Sequence, residues 1–341
     1  MKQFKPETAI FKENALEYPL GKELYKKFNS DDKIKTYTIS SRGRFPFDYD
    51  LPQHRQFYRA KKTVIIAVRT LNRFQSCKPS AHYQLPLVTG CPGHCQYCYL
   101  STNLGKNPYI KIYVNLKQIY ERVKKYINER SPEKTIFEGA ATSDPLSVEK
   151  YSGSLAKTIE FFAQSRLGRF RFVTKFSEVD SLLNIDHQKH TEFRFSLNSN
   201  YAVEKFEPAT PSPKERIKAA VRVQKAGYPL GFLIAPIFIY DSWQSEYREL
   251  LSTLAAQLKS KGKDISFELI SHRFTARAKK IINNVYLHHK LPMNEKEREF
   301  KYGQFGYGKY LYPKDVRKNM ETFFQKTIRD ILPEAKIKYF V

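Results

Sequence analysis

Between residues 82 and 275, apolar stretches of strand length alternate with longer amphipathic segments. The short stretches are rich in β-branched and aromatic residues and predict strands at Tyr83–Val88, Thr135–Ala140, Arg169–Thr174, Glu192–Leu197, Leu230–Phe238 and Ile265–Ile270. Helices are predicted between them at Leu116–Asn128, Val148–Gln164, Pro213–Ala226 and Trp243–Lys259, with a shorter one of about two turns within Ser177–Asp186. Strands separated by helices favour a parallel sheet, and six strands are too few to close an eight-stranded barrel. We therefore predict an α/β fold with a partial (β/α)6 barrel of the TIM type over residues 81–275.

The pattern is less regular on either side of this region. Residues 1–80 show helical turns at Gly21–Phe28, an extended stretch at Lys35–Ser40 and a β-branched strand at Thr63–Val68, but no clear alternation. We expect them to form a basic N-terminal extension that packs on the barrel. Residues 276–341 are expected to form a C-terminal region with an aromatic β-hairpin over Phe300–Tyr312 and a covering helix over Lys314–Leu332.

The net charge of the chain indicates a polyanionic partner. The chain has 59 Lys and Arg against 34 Asp and Glu, a net charge of +25, together with 23 Tyr and 25 Phe that could stack on bases. The alternative is the solvated, lysine-rich surface of a thermostable protein. A basic run interleaved with aromatic residues is expected to track phosphates, and it comprises Arg42, Arg44, Arg55, Arg59, Lys61, Lys62, Arg69 and Arg73. No run of eighteen apolar residues is present, so no membrane partner is expected.

The cysteines indicate a metal centre. Cys91, Cys95 and Cys98 have the spacing C-x3-C-x2-C on a loop directly after the first predicted strand. Three thiolates can bind three irons of a [4Fe–4S] cluster and leave the fourth iron open to chelate S-adenosylmethionine, which is the signature of the radical S-adenosylmethionine superfamily. A zinc site completed by Cys77 and a disulfide are the alternatives.

Polar residues follow three further predicted strands. Thr142, Ser143 and Asp144 follow the second strand, Lys175 follows the third, and Ser196, Asn198 and Asn200 lie at the end of the fourth. Each alone is commonly a helix cap or a surface charge. The carboxyl ends of parallel strands share one edge of a sheet, however, and S-adenosylmethionine requires one cation and several neutral hydrogen-bonding groups. We therefore predict a cofactor-binding edge there.

Four segments together resemble the spore photoproduct lyase family, and the resemblance runs from about Phe4 to the C-terminus. These segments are Cys91–Tyr99, Phe137–Pro145, Phe172–Lys175 and Phe305–Tyr310. The resemblance implies a DNA repair lyase that returns 5-thyminyl-5,6-dihydrothymine to two thymines through a 5'-deoxyadenosyl radical. It also implies a [4Fe–4S] cluster and S-adenosylmethionine as cofactors. The expected setting is a monomer in the cytoplasm of the spore core, acting on DNA that contains the lesion and reduced by a flavodoxin or ferredoxin.

The resemblance assigns roles to individual residues. Cys91, Cys95 and Cys98 are expected to ligate the cluster, and Tyr97 and Tyr99 to relay a hydrogen atom. The residues expected to hold S-adenosylmethionine are Ser143, Lys175, Ser196 and the backbone at Ala235. From the basic run after the sixth strand and from the predicted hairpin, we expect contacts with DNA at Arg273, Tyr302, Tyr307 and Lys309. The alternative for the hairpin is that it plugs the open side of the barrel.

One position departs from the family pattern. The family has a cysteine as hydrogen donor where this chain has Ala141. We therefore predict that the lesion is opened but that hydrogen is returned inefficiently, with the product radical trapped by solvent components or external reductants. Cys77 could in principle substitute, although the role expected for it is that of a small buried thiol. A radical enzyme that acts on RNA or a tRNA base, and a cluster-bearing binder without catalytic activity, are the alternative functions.

Overall fold

The computed structural model describes residues 4–47, 49–71, 73–259, 262–302, 306 and 308–341. Contacts within the chain divide it into two compact units. The first comprises Met1–Pro92 and Asn103–Glu192, and the second comprises Gly93–Thr102 and Phe193–Val341. This division differs from the predicted segments 1–80, 81–275 and 276–341, which remain a prediction about the organisation of the sequence.

The first unit contains two groups of strands with helices between them. Its strands are β1 (Thr8–Lys12), β2 (Lys35–Ile39), β3 (Thr63–Ala67), β4 (Ser76–Cys77), β5 (Ala81–Gln84), β6 (Val88–Thr89), β7 (Ile110–Tyr113), β8 (Thr135–Glu138) and β9 (Gly168–Thr174). Its helices are α1 (Pro19–Asn29), α2 (Gln53–Lys61), α4 (Leu116–Glu129), α5 (Glu149–Ser152) and α6 (Ser154–Ala163). The short helix α3 (Leu100–Asn103) belongs to the second unit except for its last residue. Short 3-10 turns lie at Glu13–Glu17, Pro145–Val148 and Asp180–Leu182.

The N-terminal region forms a sheet of its own, so the prediction that it lacks α/β alternation is wrong. The strand order is β2-β1-β3-β7-β6, and every pair is parallel except β6 with β7. Helix α1 connects β1 to its parallel neighbour β2, and α2 connects β2 to β3, which lies on the other side of β1. Ile10 and Ile65 pack with Ala60 and Tyr109 in its core.

The second group of strands in this unit has the order β9-β8-β5-β4, in which β5, β8 and β9 are parallel. The predicted strands that begin at Thr135 and Arg169 are confirmed. The predicted strand Tyr83–Val88 is only partly correct, because β5 ends at Gln84 and Val88 pairs instead with β7 in the other sheet. Pro86 interrupts the segment, since proline cannot donate a ladder hydrogen bond. The predicted short helix within Ser177–Asp186 is only a 3-10 turn.

In the second unit, β10, β11, β12 and β15 form parallel neighbours in that order, and β13 and β14 form a separate hairpin. The strands are β10 (Thr191–Leu197), β11 (Leu230–Ile237), β12 (Ile265–Ser271), β13 (Glu299–Tyr302), β14 (Gly308–Leu311) and β15 (Lys336–Phe340). The helices are α7 (Asn200–Phe206), α8 (Pro213–Lys225), α9 (Trp243–Gln257), α10 (Ala276–Val285) and α11 (Lys314–Ile331), with a 3-10 turn at Glu295–Glu297. The predicted hairpin and C-terminal helix are present, whereas α7 and β15 were not predicted. Of the described helices, none combines the length and apolar character needed to cross a bilayer.

Candidate active site

The three spaced cysteines lie on the loop between β6 and α3. Cys95 is buried, Cys91 and Cys98 are partly exposed, and none of the four cysteines, all of which are described, forms a disulfide. The loop is anchored through its backbone, because the amides of His94 and Gln96 donate to the carbonyls of Pro208 and Phe206, each at 2.9 Å. The disulfide alternative is therefore wrong.

The residues of this loop fit an iron–sulfur cluster. Three thiols are the donor set that such a cluster uses. Within the described ranges, no three His, Cys, Asp or Glu side chains lie together as the ligands of a single metal ion would. The turn into the loop requires a glycine, since Gly90 has φ of +84° and a Cβ there would lie 2.4 Å from the carbonyl oxygen of Tyr109.

The first unit brings Ser143 next to the start of the cysteine loop. Gly90, which precedes Cys91, forms a parallel β-bridge with Ser143, and the Gly90 amide donates to the Thr142 carbonyl at 2.8 Å. Ser143 is buried, and its hydroxyl lies 3.3 Å from the Gly139 carbonyl. Ser143, which was predicted to bind the cofactor, therefore lies close to Cys91, a predicted cluster ligand, within the first unit.

Asp144 connects the ends of two parallel strands in the same unit. Its carboxylate accepts from the Thr174 hydroxyl at 2.7 Å and from the Lys175 amide at 2.8 Å. Lys175 is partly exposed at the end of β9, and Ala141 is partly exposed three residues after β8. Asp144 thus fixes the backbone from which the Lys175 side chain projects.

In the second unit, Ser196 and Ala235 lie on neighbouring strands at their carboxyl ends. Ser196 pairs with Leu233, and Leu197 pairs with Ile234, so Ala235 is the next residue along β11. Ser196 is buried, whereas Ala235 is partly exposed. The register thus brings together the two residues of this unit that were predicted to bind S-adenosylmethionine.

A buried ion pair supports Tyr97, and sequence reasoning missed it. The Tyr97 hydroxyl donates to the Glu207 carboxylate. The other oxygen of Glu207 lies 2.6 Å from a guanidinium nitrogen of Arg216, and both side chains are fully buried. Burial raises the pKa of the Tyr97 phenol well above its usual range, and the Glu207 charge raises it further. The phenol is therefore held protonated with its O–H directed at a carboxylate.

Arg216 extends this support to the strand end. Its guanidinium donates to the Ser196 carbonyl at 3.0 Å, to the Pro211 carbonyl at 2.9 Å and to the Thr210 hydroxyl at 2.8 Å, in addition to Glu207. The planar fork of an arginine suits such divided contacts. One buried side chain therefore links the carboxylate behind Tyr97 to the backbone of Ser196.

Tyr99 has a different environment from Tyr97. It is 55% exposed, and its carbonyl accepts from the amide and hydroxyl of Thr102 in α3. The two tyrosines assigned to the hydrogen relay are therefore held unequally, one by a buried carboxylate and one at the surface of its unit.

The hairpin places two of the predicted DNA-binding residues near one another. Phe274 and Tyr310 exchange backbone hydrogen bonds at 3.2 and 2.8 Å, and the charges of Arg273 and Lys309 lie close enough to act on each other. Burial lowers the pKa of Lys309, and the positive charge of Arg273 lowers it further. Tyr302 is 79% exposed on the hairpin. Tyr307 lies outside the described residues.

Two other expectations about single residues are wrong. Lys61, assigned to a phosphate-tracking surface, is buried with 1% of its surface exposed. Cys77, expected to be a buried thiol, is partly exposed at the end of β4. Both positions depend on the fold of the first unit, which the sequence pattern did not reveal.

An α/β chain with three such thiols on a loop after a strand, and with polar groups at the carboxyl ends of parallel strands, has the organisation of a radical S-adenosylmethionine enzyme. The model of the family described as spore photoproduct lyase matches residues 4–341. The chain belongs to the spore photoproduct lyase family.

Relatives and solved structures agree over the full length. The spore photoproduct lyase of Clostridium acetobutylicum is 44% identical over 97% of this chain and 98% of its own, and that of Bacillus subtilis is 46% identical over 99% and 98%. A spore photoproduct lyase complexed with dinucleoside spore photoproduct is 44% identical, with a TM-score of 0.95 and complete coverage of both chains. The same values hold for a mutant with bound S-adenosylmethionine and the dinucleoside lesion. The predicted α/β fold with a partial barrel is confirmed, and the alternatives of RNA modification and of binding without catalysis gain no support.

Proposed function

We propose that the chain is a DNA repair lyase that converts 5-thyminyl-5,6-dihydrothymine into two thymines. The observation that carries this proposal is full-length similarity to a lyase solved with the dinucleoside lesion, in a chain that retains the three spaced thiols. A bound [4Fe–4S] cluster supplies the electron that releases a 5'-deoxyadenosyl radical from S-adenosylmethionine. The protein's own residues then have to bind, orient and shield the reactants.

Each unit contributes its own binding groups. Cys91, Cys95 and Cys98 would hold the cluster. In the first unit, Ser143 would contact S-adenosylmethionine and Lys175 would pair with its carboxylate, because Asp144 fixes the Lys175 backbone at the strand end. In the second unit, Ser196 and the backbone at Ala235 would contact S-adenosylmethionine, and both lie at the carboxyl ends of the paired strands β10 and β11.

We propose that Cys77 takes the place of the missing donor cysteine at Ala141. One solved relative is a double mutant in which alanine replaces a cysteine and cysteine replaces a serine, and these two positions are 64 residues apart. Cys77 and Ala141 in this chain are also 64 residues apart. Cys77 is partly exposed on β4, which pairs with β5, and β5 pairs with the strand that leads to Ala141. Its S–H bond would give a hydrogen atom to the thymine-methyl radical. The resulting thiyl radical would regain a hydrogen atom from 5'-deoxyadenosine through Tyr97 and Tyr99, which would restore the 5'-deoxyadenosyl radical. The alternative is the impaired hydrogen return predicted from Ala141 alone.

The hairpin is the proposed DNA-binding element. Arg273 and Lys309 would neutralise phosphates, and the exposed Tyr302 would stack on a base beside the extruded lesion. We further propose that the chain acts as a monomer in the spore core and receives electrons from a flavodoxin or ferredoxin, whose acidic surface would suit the charge of +25.

Anaerobic incubation of the reconstituted protein with dinucleoside spore photoproduct and S-adenosylmethionine tests the function. We expect two thymidine molecules as the product, and the proposal is wrong if the lesion stays intact while 5'-deoxyadenosine is formed. Cys77→Ser tests the donor, because it should divert product to radical adducts without reducing lesion opening. Intact product from Cys77→Ser at the wild-type rate would exclude Cys77.

A further inference from the structure

A buried lysine lies against the cysteine loop within the first unit. Lys61 is the last residue of α2, it is 1% exposed, and its ammonium nitrogen donates to the carbonyl oxygen of Cys91 at 2.9 Å. The same nitrogen lies 5.5 Å from the centre of the Phe57 ring. Lysine is almost never fully buried, because removing its charge from water is costly. The burial of Lys61 therefore requires a compensating interaction or a function.

The neighbouring residue shows that burial of this charge is specific. Lys62 follows directly, remains half exposed and pairs with Glu7 at 2.6 Å on the surface. The end of α2 therefore presents one lysine to solvent and the other to the backbone of a proposed cluster ligand. A basic surface alone does not account for the second.

We infer that Lys61 is a positioning residue for the cluster, which holds the Cys91 backbone and raises the cluster's reduction potential. This inference rests on the proposed function. Reduction adds one negative charge to a cluster already bound by three thiolates, and a nearby cation favours the reduced state. Covalent geometry within Cys91 keeps its iron within about 12 Å of the ammonium, a distance at which an effective dielectric constant of about 20 gives about a tenfold effect on the equilibrium.

The test is a potentiometric titration of the anaerobically reconstituted protein, followed by electron paramagnetic resonance of the reduced cluster. Lys61→Met should lower the midpoint potential by about 59 mV or more, which is tenfold for one electron. Lys61→Arg keeps the charge and should stay closer to wild type than Lys61→Gln, which keeps only a hydrogen-bond donor. Lys62→Met is the matched control from the adjacent exposed position and should leave the potential unchanged.

The outcomes separate this inference from the function it rests on. If Lys61→Met takes up iron and sulfide as wild type does and titrates at the wild-type potential, the inference is wrong. If Lys61→Met does not fold, the comparison of the Arg and Gln variants decides, and equal potentials would overturn it. If the wild-type protein itself shows no reducible cluster signal, the proposed function fails instead.

Discussion

Replacing Arg216 with methionine should destabilise the protein severely. The side chain is fully buried, and its donors serve the Glu207 carboxylate, the Ser196 and Pro211 carbonyls and the Thr210 hydroxyl. Methionine has similar length but no donor, so Glu207 would remain buried without its cation. Breaking a buried pair on one side typically costs about 3–5 kcal/mol, and each orphaned buried acceptor costs about 1–3 kcal/mol. Three acceptors would be orphaned in addition to Glu207, and protonation of Glu207 would relieve only part of this loss, so we expect at least about 4 kcal/mol.

Urea unfolding of the reconstituted protein, followed by circular dichroism at pH 7, measures this cost. The matched control is Lys124→Met, which breaks an exposed pair with Glu121 at 2.9 Å. That pair should be worth less than about 1 kcal/mol, because solvent screens it. The double variant Glu207→Gln with Arg216→Met should lose less than the sum of the single variants, since it leaves no uncompensated charge.

Equal losses of unfolding free energy in Arg216→Met and Lys124→Met would refute the reasoning, because burial of the Arg216–Glu207 pair would then make no difference to its contribution to stability. Additive losses in the double variant would refute the coupling between Arg216 and Glu207. A further readout concerns Tyr97, whose hydroxyl donates to Glu207. Variants that fold but lose the pair should return less deuterium from labelled substrate to S-adenosylmethionine.

Three further changes have defined outcomes. Burial raises the pKa of Glu149 from its usual 4.5 to about 7, so the folded protein becomes less stable as the pH rises from 4.5 to about 7. Urea unfolding at several pH values measures this loss, and the Glu149→Gln variant should not show the part of the loss that is due to Glu149. Gly90→Ala should cost about 1–3 kcal/mol in urea unfolding and lower the iron content, because its Cβ would meet the Tyr109 carbonyl at a positive φ. Tyr302→Ser should leave stability within about 0.5 kcal/mol yet weaken DNA binding by about 1–3 kcal/mol in anisotropy measurements at fixed salt.

The parallel strands at the centre of the fold could be predicted, whereas the N-terminal sheet could not. A buried parallel strand such as β11 reads as a nearly continuous apolar run. Strand β2 has the sequence KTYTI and no fully buried residue, and β7 is only four residues long. β15 likewise alternates with lysines at the sheet edge. Short, half-exposed strands gain their stability from pairing, which leaves little trace in local periodicity.

The same contrast holds within the site. Cys91, Cys95 and Cys98 are close in sequence, so their spacing alone indicates a shared cluster. Glu207 and Arg216 are nine positions apart, and they meet only because the connection from α7 to α8 turns one back toward the other. In the sequence they are two charged residues among 93, since no local pattern distinguishes a buried charge from a solvated one.

Each of the two units buries a cation close to residues that the cysteine loop contributes to that unit. In the first unit Lys61 lies on the Cys91 carbonyl, and in the second unit Arg216 lies behind the carboxylate that holds Tyr97. Each costs desolvation energy, and neither adds to the surface charge that attracts DNA. A cluster with three thiolates carries net negative charge that increases on reduction, so interior cations reduce the energy needed to hold it. Most of the basic residues can then serve the polyanion, while Lys61 is proposed to serve the anionic cluster and Arg216 neutralises the buried Glu207 carboxylate.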